Sequence, residues 1–190
     1  MKTRLKVGAG IVALFALGSW WIGTRNPAAL SQKLGQAILE RRDSAEVKWL
    51  LSHGANPNTK VTRWPLSLQE RRQHFLAGTT EPDESTPVLY LACSNADSVV
   101  VELLLGYGAD PNRKSNDGEP PLVAAARTGS STVVRLLLEH GSDPNGQNYS
   151  GATPLMAATS CQRPAVIALL KQAGAKENVN ELSATESKTP

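Results

Sequence analysis

Hydrophobic positions recur every 33 residues through the second half of the chain. Three glycines set the period, and the same apolar residues precede each of them. The recurring positions are the leucines 89, 122 and 155, the alanines 92, 125 and 158, and the leucine pairs 103–104, 136–137 and 169–170. This spacing predicts two short helices per unit, the first with a narrow alanine face and the second more fully buried. Neither helix can bury its face alone, so the units must stack.

The loops that close the units share a second pattern. Each loop has a glycine, one intervening residue and then Asp-Pro-Asn or a close variant. The four glycines are Gly54, Gly108, Gly141 and Gly174. Glycine is typical of the left-handed end of a helix, and the Asp and Asn residues that follow favour turns. We therefore predict four units, of which the first keeps only the second half of the pattern.

Thr153-Pro154-Leu155-Met156-Ala157-Ala158 resembles the Thr-Pro-Leu-His-x-Ala signature of the ankyrin repeat, and Pro120–Ala125 is close to it. Thr86-Pro87 lies one residue early, which predicts a reshaped helix start. The resemblance implies an all-α fold, an ankyrin-repeat solenoid of helix-turn-helix units with short β-hairpin fingers. The expected repeats are about 30–58, 86–112, 119–145 and 152–178. The fingers are expected at Asn116–Gly118 and Tyr149–Gly151.

An uncharged segment of eighteen residues, Val7–Thr24, follows three basic residues at the start of the chain. Its length fits a membrane-spanning helix, and the preceding charges place the N-terminus in the cytoplasm. We predict that residues 1–25 anchor the protein in the inner membrane of a bacterium, with the ankyrin domain in the periplasm. A cleaved signal peptide, which would leave a soluble periplasmic protein, is the alternative.

The charge distribution argues against nucleic acid as a partner. The formal net charge is +3, but residues 26–190 carry 16 basic and 17 acidic side chains. Such a body has no field that attracts a polyphosphate.

The predicted domains are the leader 1–25, the ankyrin domain 26–178 and a disordered tail 179–190.

The first interval between units is 21 residues too long, which places an insertion at 59–85. Within it, Ser67 and Glu70 form a capping box, and Gly78 is a natural helix end. Two interpretations remain open. The insertion is either a helical flap that covers the first repeat or a part of the surface that binds the partner.

Few residues indicate chemistry. His53 and His140 stand at equivalent helix ends, which predicts a structural role. Cys93 and Cys161 belong to units about 20 Å apart, too far for a disulfide. We interpret them as small buried residues, and a thiol-dependent enzyme using Cys93 or Cys161 is a remote alternative. No spacing indicates a metal, a cofactor, a small-molecule substrate or catalysis.

The resemblance implies a module that binds a protein partner across its concave face and fingers. The expected role is to inhibit or scaffold that partner in the bacterial envelope, as in immunity to a periplasmic toxin. The alternative is a stress-protection scaffold beside a peroxide-detoxifying enzyme. The expected partner-binding residues are Arg63, Trp64, Arg71, Arg72, Tyr90, Ser94, Arg113, Lys114, Asp117, Arg127 and Tyr149.

Overall fold

A computed structural model of the chain describes residues 26–62 and 85–177. Within these residues the chain is mostly helical and forms eight helices in four pairs, with one two-stranded ribbon. The expected leader helix, the insertion helix at Ser67 and the expected disordered tail lie outside the described residues. No helix in the described ranges has both the length and the apolar character needed to cross a membrane.

Each unit contributes one helix pair. The pairs are α1 Pro27–Leu39 with α2 Ser44–Ser52, α3 Val88–Ser94 with α4 Ser98–Gly106, α5 Pro121–Thr128 with α6 Ser131–Glu139, and α7 Pro154–Ser160 with α8 Pro164–Gln172. Proline occupies the first turn of α5 and of α7, where its missing N–H leaves no bond unmade. The side chains of Asp43, Asp97 and Ser130 cap the second helices of the first three units.

The start of α3 differs from that of α7, as the early Thr86-Pro87 predicts. Thr153 is the N-cap of α7, and its hydroxyl accepts a hydrogen bond from the Met156 N–H at 3.2 Å. In α3 the N-cap is Pro87, which offers no side-chain acceptor. The N-terminus of α3 is therefore not capped by its own N-cap side chain.

The helices pack in two layers. The first helices α1, α3, α5 and α7 contact one another in chain order, and so do the second helices α2, α4, α6 and α8. The repeated alanines 92, 125 and 158 are buried in the first layer, and the repeated leucines 50, 104, 137 and 170 are buried in the second. The 33-residue apolar pattern therefore marks the core, as predicted.

The outer side of the fourth unit is more polar than the equivalent side of the third. Lys171 stands where the third unit has Leu138, and it forms an ion pair with Glu177 at 2.6 Å. Thr159 is exposed where Ala126 is fully buried. These exchanges are typical of a terminal repeat that faces water.

A ribbon connects the first two units. Strands β1 Lys60–Thr62 and β2 Ser85–Pro87 pair antiparallel, with Lys60 opposite Pro87 and Thr62 opposite Ser85. The insertion expected at 59–85 begins and ends in this ribbon. Val61 packs against the core and lies on Gly35 of α1, where any Cβ would overlap its side chain. That contact fixes the ribbon on the first helix.

The two later fingers are tight turns that carry no strands in the described structure. Ser115 N–H donates to the Glu119 carbonyl at 2.9 Å, and Asn148 N–H donates to the Ala152 carbonyl at 3.2 Å. In the return direction a side chain accepts instead, Ser115 Oγ from Glu119 N–H and Asn148 Oδ1 from Ala152 N–H. Because these side chains replace the backbone acceptors, the expected β-hairpins do not extend into ladders.

The loop asparagines do more than form turns, so the interpretation from sequence was incomplete. Asp110 and Asp143 accept the backbone N–H two residues later at 2.9 Å, which is the expected local turn. The asparagine at the end of each of the first three motifs instead bridges to the loop of the next unit. Asn112 donates to the Gly141 carbonyl and accepts from the Asp143 N–H. Asn58 and Asn145 repeat both bonds one unit before and one unit after.

Candidate functional site

We give the name finger cluster to four side chains from two units and two fingers: Tyr90, Glu119, Arg127 and Tyr149. The first three contact one another, and Tyr149 lies against Gly118, the residue before Glu119. The Tyr90 hydroxyl of α3 donates a hydrogen bond to Glu119 Oε2 at 3.1 Å. Arg127 Nη2 of α5 lies 2.7 Å from Glu119 Oε1, a close ion pair without the alignment of a good hydrogen bond. The carboxylate therefore ties the first helices of two neighbouring units.

The finger between the second and third units places Glu119. Gly118 has a φ of +71°, and its N–H donates to the Ser115 carbonyl, which closes the turn. The next residue, Glu119, exchanges two hydrogen bonds with Ser115 and leads directly into α5 through Pro120. Glu119 is only 7% exposed as a result. The turn thus places the Glu119 side chain between α3 and α5.

Tyr149 belongs to the next finger. Its side chain is 80% exposed, and its ring lies against Gly118, where a Cβ would stand 2.5 Å from Cδ1. Gly118 is thus required for its positive φ and for the close approach of the ring. Lys114 Nζ donates to the Gln147 carbonyl at 2.8 Å and joins the same two fingers.

The electrostatics of the finger cluster keep Tyr90 neutral and Arg127 charged. Burial raises the pKa of the Tyr90 hydroxyl, and the charge of Glu119 raises it further. Burial opposes the charged form of Arg127, but Glu119 outweighs this effect and raises the pKa of the guanidinium. Both shifts act in the same direction, because each keeps a proton on its side chain.

The remaining residues expected to bind a partner lie in different settings. Ser94 Oγ donates to the Tyr90 carbonyl of its own helix at 3.0 Å, so its hydroxyl serves that helix. Among the described residues, the side chains of the half-buried Arg113 and the exposed Asp117 have no polar partner. The expected residues Arg63, Trp64, Arg71 and Arg72 lie outside the described residues.

Glu119 was missed in the sequence. Thr86 and Ala152 hold the equivalent position in the neighbouring units, counting back from the repeated leucine. A charged residue at a position that is otherwise small is the signal that could have identified it. The structure also gives Tyr90 and Arg127 a role between units in addition to the expected contact with a partner.

The histidines lie at helix ends, as predicted. His53 Nδ1 lies 2.8 Å from the Trp49 carbonyl, and His140 Nδ1 lies 2.8 Å from the Leu136 carbonyl. A carbonyl only accepts, so Nδ1 carries the proton in both rings. The His53 ring also stacks on Trp49, with the ring centroids 4.1 Å apart.

The thiols differ in exposure. Cys93 is fully buried, and burial raises the pKa of its thiol well above the usual range. Because a nucleophilic cysteine needs a lowered pKa, this environment does not suit catalysis. Cys161 is half-buried at the end of α7, and both cysteines are free. Over residues 26–62 and 85–177, no three or more His, Cys, Asp or Glu side chains group as metal ligands.

Comparison with protein families agrees with the helix pairs. Residues 89–181, about half of the chain, match the family model of ankyrin repeats in 3 copies. The match spans the pairs α3–α4, α5–α6 and α7–α8, and the chain is therefore an ankyrin repeat protein. A search of curated protein sequences finds no significant match. Ankyrin repeats are protein–protein interaction modules and are typically non-catalytic.

Proposed function

We propose that this chain is a non-catalytic module that binds a partner protein in the envelope of a bacterium. In this proposal the four units form one solenoid, and the partner docks on its concave face and fingers. Residues 1–25 hold the solenoid on the periplasmic side of the inner membrane. The protein uses no cofactor, metal or small-molecule substrate, and it does not bind nucleic acid.

The finger cluster carries this proposal. Tyr149 is 80% exposed but is held by its contact with Gly118, so binding a partner costs it little freedom. Tyrosine and arginine are the side chains that most often anchor protein interfaces. Tyr90 and Arg127 both contact the buried carboxylate of Glu119, which joins two repeats. A rigid aromatic group of this kind is the expected form of a binding site.

The direct test is affinity capture of the tagged full-length protein after cross-linking in intact cells, both unchallenged and challenged by toxin-delivering competitor cells, under whichever condition the wild type captures a partner. Tyr149→Ala should lose the captured partner. The matched control is Tyr107→Ala, which changes an equally large ring that is 42% exposed at the end of α4, in the other helix layer. Equal capture by both variants, at wild-type level, would move the binding surface away from the fingers.

The insertion can be tested without disturbing the ribbon. Thr62 and Ser85 are opposite each other, so an Asn-Gly turn can replace residues 63–84. Loss of the partner in this variant, with unchanged thermal stability, would assign the insertion to recognition. Retained binding with lowered stability would instead identify it as a cover for the first repeat.

Two roles in the envelope remain to be separated by the partner itself. We favour inhibition of a toxin that reaches the periplasm, which predicts no constitutive partner in unchallenged cells. The second role, a scaffold beside a peroxide-detoxifying enzyme, predicts a partner in every culture. Protease accessibility in spheroplasts and the mass of the N-terminal peptide would test the location and the fate of the leader.

A further inference from the structure

We propose that Arg127 is a pre-oriented anchor for a carboxylate, so that the partner docks an acidic segment on the finger cluster. This inference rests on the proposed function and specifies the chemistry that the same site recognises. Glu119 acts in it as a positioning residue, because it reaches the partner only through Arg127.

The first argument is the unequal exposure of the ion pair. The Arg127 side chain is 52% exposed, whereas the Glu119 side chain is only 10% exposed. The ion pair with Glu119 is made through Nη2, and Tyr90 also lies in contact with Arg127. A guanidinium has five N–H donors in a planar fork, so donors remain for a ligand on its exposed side. A carboxylate matches that fork with two parallel hydrogen bonds.

The second argument is the orientation that Glu119 imposes. A free arginine side chain loses about 2 kcal/mol of rotamer entropy when it is fixed. Here the Tyr90 hydroxyl and the Ser115 turn hold Glu119, and Glu119 holds Arg127 before any partner arrives. Part of the entropic cost of docking is therefore already met in the free protein.

The third argument is the charge around the fork. Among the described residues, the fingers, the ribbon and the first-layer helices α3, α5 and α7 carry more basic than acidic side chains: Lys60, Arg113, Lys114 and Arg127 against Asp117 and Glu119. The other described residues have a slight acidic excess. Positive potential on this side favours an acidic partner and speeds its encounter.

A carboxylate and a phosphate both match the guanidinium fork. The Glu119 carboxylate lies 2.7 Å from the guanidinium, and a doubly charged ligand is both attracted more strongly by Arg127 and repelled more strongly by Glu119. We assign the site to an Asp or Glu side chain of a protein partner, and the experiment below compares this ligand with a phosphate-bearing one.

The test measures binding of a fluorescent, N-acetylated hexaglutamate peptide to the full chain in non-ionic detergent. Arg127→Gln should weaken binding at least about fivefold, as expected for the loss of a charge-assisted contact. The affinity of Arg127→Lys for the peptide should lie between those of the wild type and Arg127→Gln, because lysine keeps the charge but loses the planar fork of donors. The matched control is Arg135→Gln, on the exposed face of α6, with an expected change below twofold.

Two results would overturn the proposal. One is equal weakening by Arg127→Gln and Arg135→Gln, which would reduce the effect to net charge. The other is a hexanucleotide that binds more tightly than the peptide through Arg127. Arg127→Gln leaves Glu119 without its ion pair. The double variant Glu119→Gln/Arg127→Gln therefore serves as a second test, and it should bind the peptide as weakly as Arg127→Gln does.

Failure of this inference is distinguishable from failure of the proposed function. A captured partner that is lost with Tyr149→Ala but retained with Arg127→Gln would disprove the carboxylate anchor and leave the binding module intact. A captured partner that is retained with both Tyr149→Ala and Arg127→Gln would contradict both proposals.

Discussion

The units are joined along two edges, and the two joints follow opposite rules. At the loops after the second helices, one asparagine per junction makes the same two backbone contacts three times. At the fingers, no contact between units recurs among the residues that the structure describes. One junction uses Val61 on Gly35, and the next uses Glu119 between Tyr90 and Arg127. The loop joint is therefore the same at each junction, whereas each finger joint depends on its own set of side chains.

The two kinds of joint differ because they contact different chemical groups of the neighbouring unit. The loop asparagines contact a carbonyl and an N–H, which every unit offers whatever its side chains are. The finger contacts need particular side chains on both sides. A change at the loops should therefore cost similar stability at each internal junction, while a change at the fingers should depend on one partner residue.

The largest effect is expected at the first finger joint. Gly35→Ala should destabilise the protein by about 2 kcal/mol, because the new methyl group overlaps Val61. Urea unfolding followed by circular dichroism would measure it. In a Val61→Ala background most of this cost should disappear, because only the Cβ of residue 61, 3.3 Å from the new methyl group, remains close. A cost that persists in that background would show that Val61 is not the cause.

The repeated joint should respond less. Asn112→Ala removes two hydrogen bonds between the second and third units and should cost about 1–2 kcal/mol in the same assay. Asn145→Ala should cost less, since it detaches only the closing turn at Gly174 and Lys176. Asn116→Ala, at an exposed finger tip, is the control. An equal loss for Asn116 and Asn112 would contradict the bridging role.

The finger cluster adds a dependence on pH. Burial and the charge of Glu119 raise the pKa of Tyr90 in the folded state, so the native protein holds this proton more tightly than the unfolded chain. The contribution is complete below the unfolded pKa of about 10 and is lost as the pH rises through the folded value. Denaturation at pH 8, 9.5 and 11 should show a steeper alkaline loss for the wild type than for Tyr90→Phe. Parallel profiles would contradict this linkage.

The smallest effect tests a backbone position shared by three units. Ala96, Gly129 and Gln162 are 33 residues apart, and all have φ between +55° and +83°. Relief of this left-handed strain outweighs the extra freedom of glycine in the unfolded chain, so Ala96→Gly should stabilise by about 0.5 kcal/mol. A thermal melt would detect a rise of one or two degrees. Ala45→Gly, within α2, should lower the melting temperature.

The helices were predictable because their signals are local. The 33-residue apolar pattern, the prolines at the starts of α5 and α7 and the glycines at the helix ends each act within a few residues. Glu119 and Gly35 escaped prediction because their partners come from other units. The asparagine bridges escaped for the same reason, since each joins residues 29 to 52 positions apart.

The site was predictable in part. Tyr149 was expected at a finger, and its exposure agrees with that expectation. Tyr90 and Arg127 were chosen from their positions in the repeat, but the carboxylate between them was not. Their pairing depends on a turn that starts 25 residues after Tyr90 and ends eight residues before Arg127, a relation that no short-range pattern contains.

The β1–β2 ribbon has a consequence for how such a protein can change over evolutionary time. Because Thr62 and Ser85 stand side by side and Val61 secures the ribbon to α1, the array receives this segment through two adjacent backbone ends. Any segment whose ends meet at a β-turn can be exchanged there while every helix keeps its neighbours. The ribbon is therefore a position at which one inserted segment can replace another during evolution without refolding the repeats.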